Sequence, residues 1–322
     1  MYICGQKQSM THHHPIMTLH HHTNHHSHHT GHSSKFLCIL LLAFCCNLDV
    51  LAQTLTVASY NIRYNNRDDS ISGNGWHRRC PSLCNQILWE HPDIFGAQEV
   101  LHRQLLDFEK ALPGYRWIGV GRDDGKQDGE YAAIFYDERR LELLDSGHFW
   151  LNETPDRPAR GWDAACIRIC TWGHFRDVLT GSDFFFFNLH MDHVGVRARS
   201  ESAKLVMQRI TEFTDSGRKL AVLTGDFNVP QTDELYTLFT DSGVLKDCYT
   251  AANQRFAECG TYNGFDYHHH TTDRIDHIFV TPATTVEAYA VLTDGRWQRD
   301  SNGKMSRRTI SDHYPIFARI RF

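Results

Sequence analysis

Apolar and polar side chains begin to alternate at Leu55. Leu55, Val57 and Ser59 interleave with Thr56, Ala58 and Tyr60 up to Asn61, which predicts a strand. Trp76 to Trp89 carries apolar residues at helical spacing until Pro92 stops it, and Asp93 to Val100 returns to a strand. Leu101 to Leu112 reads as a helix closed by Pro113-Gly114. Short strands follow at Trp117 to Val120, Ala132 to Tyr136 and Leu141 to Leu151. Two emphatic strands, Cys166 to Phe175 and Phe184 to Met191, are joined by Thr180-Gly181-Ser182-Asp183, which predicts a hairpin. The pattern then gives an amphipathic helix over Arg197 to Phe213, a buried strand over Lys219 to Phe227 and a helix over Asp233 to Phe239, opening on Thr232. Strands over Ile275 to Val280 and Tyr314 to Ile320 complete it. More than eight strands with interspersed helices and no Pro- or Ser-rich linker predict one α/β domain built on two packed sheets.

The first 52 residues depart from this pattern. Eleven histidines fall between positions 11 and 32, a low-complexity tract with nothing to bury. It reads as a disordered leader or a mis-assigned start, ahead of a regulatory or adventitious metal-binding segment. Phe36 to Cys46 is apolar over about 11 residues, too short for a span that needs roughly 20. With Lys35 before it and the small Ala52 before Gln53, this stretch resembles a signal peptide. The expected organisation is a disordered His-rich leader at 1–34, a signal peptide at 35–52 ending near Ala52, and a folded domain at 53–322. The mature protein would be secreted or periplasmic, without a membrane span and monomeric.

Composition changes this picture little: 41% hydrophobic and 22% charged residues are ordinary for a chain that buries a core. Removing residues 1–52 leaves 31 basic against 37 acidic side chains, a net charge of −6. No global basic field marks a nucleic-acid partner, because polyanion binders show a basic stripe. Six cysteines remain after the leader. Cys80 and Cys84 lie four apart on a predicted helix. Cys166 and Cys170 lie four apart on a predicted strand, roughly 13 Å from each other, and so cannot bridge internally. Buried thiols or disulfides between elements are expected, not a zinc site.

The chemistry lies where strands stop. Asn61, Glu99, His190, Asp226 and Asn228 fall at strand ends, and Asp276 and Asp312-His313 where strands open. Each has a plain structural explanation: a turn for Asn61, a helix-capping acid for Glu99, an Asx turn for Asp226 and Asn228, a core histidine for His190 and a hydrogen-bonded pair for Asp276 and His313. Six such coincidences at six strand ends are much less probable than one shared rim. A hard cation such as Mg2+ takes oxygen ligands and keeps several waters, so one or two carboxylates and an amide oxygen suffice to seat it. A carboxylate or imidazole beside it can activate water. Glu99 is the first choice of ligand.

Ser59-Tyr60-Asn61-Ile62-Arg63, Gln98-Glu99-Val100, Asn188-Leu189-His190-Met191-Asp192-His193, Gly225-Asp226-Phe227-Asn228, Arg274-Ile275-Asp276-His277 and Ser311-Asp312-His313-Tyr314-Pro315 together resemble the ordered motifs of the endonuclease/exonuclease/phosphatase superfamily. Single motifs are weak, but the ordered series is specific and covers essentially all of residues 54–322. The resemblance implies a catalytic domain with the deoxyribonuclease-I-like four-layer α/β sandwich, two central mixed β-sheets packed face to face with helices outside. It implies metal held by Asn61, Glu99 and Asp312, with Mg2+ or Mn2+ as cofactor. It further implies catalysis by His190, Asp226, Asn228, Asp276 and His313, and substrate contacts from Tyr131, Asn228 and His190. Asp276 would orient His313, and either Asp226 or His313 would activate the water.

The expected function is divalent-metal-dependent hydrolysis of phosphate esters by in-line attack of an activated water. A nuclease or another phosphodiesterase leads, with nucleic acid or a nucleotide among the candidate phosphorylated substrates. Leu223-Thr224 before Gly225, and Thr272-Asp273-Arg274 where inositol-polyphosphate phosphatases carry Cys-Asp-Arg, disfavour that subfamily. Rival readings are a sphingomyelinase-like lipid phosphodiesterase, which would show an exposed apolar hairpin, and a non-catalytic phosphate-ligand binder, which would have lost a chemical residue. Trp150, Trp162 and Trp172 are read as core packing before base or sugar stacking.

Overall fold

A computed structural model describes residues 54–256, 259–299 and 302–322. The expected leader, signal peptide and cleavage position near Ala52 lie outside the described residues. Among the described residues, no helix is long and apolar enough to cross a membrane.

Two large mixed sheets form the centre. In spatial order the first holds β10 (Gln254–Phe256), β12 (Thr285–Val291), β15 (Ile316–Arg321), β1 (Leu55–Asn61), β2 (Ile94–Val100), β4 (Tyr131–Asp137) and β3 (Tyr115–Ile118). The second holds β5 (Leu141–Trp150), β6 (Ile169–Asp177), β7 (Asp183–His190), β8 (Leu220–Asp226), β11 (Asp276–Val280) and β9 (Lys246–Asp247). A separate hairpin pairs β13 (Gly295–Arg299) with β14 (Met305–Thr309). The helices are α1 (Arg67–Ile71), α2 (Trp76–Glu90), α3 (His102–Ala111), α4 (Val196–Phe213), α5 (Glu234–Thr240) and α6 (Cys248–Ala251).

Period-two alternation explains the four layers. In β1, Leu55 and Val57 enter the core between the sheets, where they join Ile94, Ile134, Phe184, Phe186 and Val222. Their neighbours Ala58 and Tyr60 face α2 and α3, against Leu83, Ile87, Leu105 and Phe108. On the other side Phe185, Phe187 and Leu189 of β7 pack on Ala203, Val206 and Ile210 of α4. The run Phe184–Phe187 is therefore apolar throughout because both of its faces are covered.

The expected hairpin forms from β6 and β7, with Arg176 opposite Asp183. Most other boundaries shift by one or two residues. The strand expected at Trp117 to Val120 starts earlier, at Tyr115, where it pairs with Asp137. The helix expected to open on Thr232 is capped one residue later, by the Asp233 carboxylate on the Leu235 N–H. The alternation reading passed over α1, α6, β9, β10, β12, β13 and β14. In β12 a register shift between Val286 and Ala288 breaks the period, and β9 and β10 are too short to show one. All six cysteines of the described region are free thiols, with Cys80 Sγ 3.7 Å from Cys84 Sγ on α2.

Two buried polar groups set how the layers meet. The Asn188 amide on β7 donates to the carbonyls of Ala97 and Ala133 in the opposite sheet, at 3.0 and 2.8 Å. Its oxygen accepts from Gln98 Nε2 at 2.7 Å and Thr224 Oγ1 at 3.1 Å, so its full hydrogen-bonding capacity is used. Gly96 permits this approach, because a Cβ there would overlap Asn188 Oδ1 and Thr224 Oγ1. On α2 the fully buried Arg79 guanidinium donates to the carbonyls of Ile62, Arg63, Asn74 and Ile310. It thereby ties the segment leaving β1 to the segment entering β15. Replacing Asn188 by Leu strands donors and acceptors on both sheets, so Asn188→Leu is expected to cost about 3 kcal/mol in urea unfolding. A cost below about 1 kcal/mol would show that the bridge is dispensable.

Candidate active site

Strand register gathers the polar rim. β7 and β8 run parallel with His190 beside Asp226, and β8 and β11 run antiparallel with Asp226 beside Asp276. In the other sheet Asn61 ends β1 beside Gln98, next to Glu99. Pairing of β2 with β4 steps from Ala97–Ala133 to Val100–Tyr131, a bulge that leaves two residues, Gln98 and Glu99, opposite Ala132. Glu99 there adopts φ 60°, and Arg63 and Asn228 are also left-handed, at 58° and 50°. Left-handed backbone is costly for residues with a side chain and concentrates at functional sites.

The two rims join at Asp226. Its Oδ2 accepts from Asn61 Nδ2 at 3.0 Å and lies 3.5 Å from His190 Nε2 and 3.7 Å from His313 Nε2. Its Oδ1 accepts from the Asn228 N–H at 2.9 Å, while the Asn228 side chain donates to the Met191 carbonyl. His313 Nδ1 sits 2.9 Å from Asp276 Oδ2. Thr261 Oγ1 accepts from the backbone of Ile275 and Asp276 and so fixes that carboxylate. Asn61 Nδ2 also reaches Glu99 Oε1 at 3.1 Å, and Ser311 Oγ donates to the Asn61 carbonyl. Arg63 spans the remaining acids, 3.9 Å from Glu99 and 3.6 Å from Asp312.

Burial separates the protonation states of these groups. Burial and then the charge of Asp276 push the Asp226 carboxyl up to about 7. Burial alone would lower His313, but Asp276 and Asp226 outweigh it and hold the imidazole well above its ordinary value. His190 goes the other way: burial first, then the charges of Arg168 and Arg122, hold it well below and therefore neutral. Burial also raises Asp312, with Glu99 adding like-charge repulsion.

These side chains line a cleft of about 700 Å³, with Arg63, Glu99, Glu130, Arg168, His190, Asp226, Asn228, Asp312 and His313 in its wall. Asn61 and Asp276 stand behind it through their bonds to Asp226, Glu99 and His313. Thus nine expected site residues, Asn61, Glu99, His190, Asp226, Asn228, Asp276, Asp312 and His313 with only Tyr131 apart, fall into one connected group of eight and one outlier. Tyr131 stands apart from that group. Its hydroxyl donates to the Lys126 carbonyl at 2.9 Å, its ring stacks on His102, and it is absent from the cleft wall. The wall has Glu130 there instead, paired with Arg122 at 2.7 and 3.0 Å. Trp150 is buried and bonds the Arg122 carbonyl, in keeping with packing.

Sequence reasoning missed Arg63, Arg122, Glu130, Arg168, His193 and Tyr262 of the wall. Arg168 left a signal, a lone guanidinium in the run Cys166 to Phe175. Arg122 and Glu130 stand at the two ends of a loop and left none.

Glu99 and Asp312 are two buried acids in mutual repulsion, oxygen donors that fit a hard divalent cation, and beside them the Asn61 amide turns its Nδ2 to Glu99 while its oxygen accepts from the Arg63 N–H. Among the described residues, two other groups bring metal-ligand types together. In the first, Asp226, Asp276 and His313, the imidazole Nδ1 is already engaged by Asp276 at 2.9 Å. Cys166, Asp192 and His193 look suitable, but the Asp192 carboxylate accepts the N–H groups of Ala165, Cys166, Val194 and Gly195, and His193 Nδ1 lies 3.0 Å from Arg168 Nη2. Asp192 is a loop clamp.

The endonuclease/exonuclease/phosphatase family model matches residues 58–313. A solved structure of an endonuclease/exonuclease/phosphatase family protein from Bacteroides thetaiotaomicron is 49% identical, with a TM-score of 0.81, over 83% of this chain and 97% of that one. A mannosyl-6-phosphatase from Bacteroides thetaiotaomicron is also 49% identical with a TM-score of 0.81, over 83% of this chain and 100% of its own. A third structure, from Bacteroides vulgatus, is 39% identical with a TM-score of 0.74, over 84% and 99%. No functionally curated protein sequence matches the chain.

Asp192→Ala is expected to cost about 3 kcal/mol of stability, through several unsatisfied N–H groups, and to leave the number of bound divalent ions unchanged. Loss of one bound ion per chain in calorimetric titration would make Asp192 a ligand instead.

Proposed function

Because the chain belongs to the endonuclease/exonuclease/phosphatase family, and its phosphoester chemistry is thereby given, we propose the finer reading that it is a divalent-metal-dependent phosphatase acting on a phosphorylated sugar. The Asp226 hub carries the chemical part, a carboxylate shared by Asn61, His190 and His313 at the meeting point of two sheets. The name of the 49% identical mannosyl-6-phosphatase supports the sugar phosphate over the nuclease expected from sequence. The chain's net charge of −5 agrees with it.

Asn61, Glu99 and Asp312 would hold Mg2+ or Mn2+. What such a cation supplies when bound is polarisation of a phosphoryl oxygen and neutralisation of charge that builds up in the transition state. Asp226 and Asn228 orient the attacking water in line with the leaving oxygen, and Asp226 takes its proton. His313, backed by Asp276, presents a positive N–H to the phosphoryl group. His190 is neutral and its N–H gives a hydrogen bond to the same group; as the water oxygen bonds to phosphorus the P–O bond to the sugar breaks, and the departing oxygen takes its proton from bulk water. Arg63 holds Glu99 and Asp312 in place from the cleft wall.

Steady-state assays of the full chain with Mg2+ or Mn2+ test this reading. Hydrolysis of mannose 6-phosphate and p-nitrophenyl phosphate is expected to stop with EDTA and to return when the ion is restored. Glu99→Ala should raise the ion concentration needed for half-maximal rate. His313→Ala should lower kcat by about 10² to 10⁴. Hydrolysis indifferent to EDTA, or faster turnover of DNA or sphingomyelin than of any sugar phosphate, would overturn the assignment.

A further inference from the structure

The hairpin of β13 and β14 stands outside both sheets and differs from the rest of the chain in charge. Residues 295–309 carry five basic side chains, Arg296, Arg299, Lys304, Arg307 and Arg308, against one acid, Asp300, in a chain of net charge −5. Strand register sorts its positions onto two faces. Arg296 turns inward, buried, and bonds Gln298 Oε1 and the Gly73 carbonyl. Trp297 lies opposite Arg307, and Arg299 opposite Met305, on the face left to solvent. Trp297 is 67% exposed there, an unusual position for the largest aromatic side chain.

That face meets a loop that borders the cleft. β14 ends at Thr309, two residues before the Ser311-Asp312-His313 segment. The Arg307 guanidinium sits 4.3 Å above the ring of Tyr267. The loop that carries Tyr267 also supplies Tyr262, which lines the cleft with its ring 5.2 Å from that of His313, and Asn263, whose N–H donates to the Asp312 carbonyl. Arg307, beside Trp297 on the arm, thus rests on the same loop that places Tyr262 against His313.

We propose that this arm binds the remainder of a larger substrate, a glycan chain whose phosphorylated sugar occupies the cleft. Trp297 offers a flat apolar face to a sugar ring, and Arg299 and Arg307 flank it with donors for hydroxyls or further phosphates. The inference rests on the sugar-phosphatase reading. Two exposed arginines suit a sparsely charged glycan better than a nucleic acid, which needs a basic track along its backbone.

The test compares the full chain with Trp297→Ala and with the double variant Arg299→Gln, Arg307→Gln. Substrates are free mannose 6-phosphate, a phosphorylated mannan oligosaccharide and a single-stranded DNA of similar length bearing a terminal phosphate. Both variants should raise KM for the oligosaccharide at least tenfold and keep kcat/KM for mannose 6-phosphate within twofold. Unchanged KM for the oligosaccharide, or an equal loss on both sugar substrates, overturns the arm's role. A Trp297-dependent KM confined to the DNA overturns it in favour of nucleic acid. Calorimetry with the oligosaccharide in EDTA reads the arm without turnover. Binding weakened in the variants there would support the arm even if the sugar-phosphatase reading failed, and binding equal in all three proteins would overturn it.

Discussion

Polar bridges hold the two sheets in register, Asn188 within the core and Asn61 to Asp226 at the rim. Asn188 sends both of its N–H bonds across the sandwich and receives two bonds from Gln98 and Thr224. Apolar packing between sheets is non-directional and tolerates sliding, whereas a fully satisfied polar group in a dry core admits one arrangement. Gln98 precedes Glu99, and Asn188 stands two residues before His190. The bridge therefore fixes the rim of one sheet against the rim of the other, and the distances around Asp226 follow from it.

Register supplies neighbours within a sheet, but catalysis here needs neighbours between sheets. The bulge at Gln98–Glu99 and the left-handed turns at Arg63 and Asn228 turn side chains toward the gap that a regular strand would not aim there. Placing Asp226 and His313 together under burial beside Asp276 then raises both the carboxyl and the imidazole, and burial first, with Arg168 and Arg122 adding to it, keeps the second imidazole, His190, uncharged. One cluster can in this way accept a proton, present a positive charge and donate a neutral hydrogen bond.

Much of this was legible from the chain alone, for a physical reason. Strands covered on both faces write long apolar runs, such as Phe184 to Phe187, and polar residues at their ends stand out against them. Asn61, Glu99, His190, Asp226 and Asp312-His313 were visible in that way, and the four-layer sandwich followed from the ordered motifs. What failed was whatever depended on loops or on irregular pairing. Tyr131 sat next to the right place, but its side chain points to Lys126 and His102 on the far side of β4, and its neighbour Glu130 faces the cleft. β12 hid behind its bulge, and Arg122 came from a loop with no pattern of its own.

β15, the last strand of the chain, lies inside its sheet, between β12 and β1, and not at an edge. Arg79 in turn needs the Ile310 carbonyl, just before that strand, to complete its bonds beside Ile62. The seam beside β1 therefore stays open until the segment that bears His313 joins it, and a chain interrupted before that segment would carry most of the rim without a closed cleft.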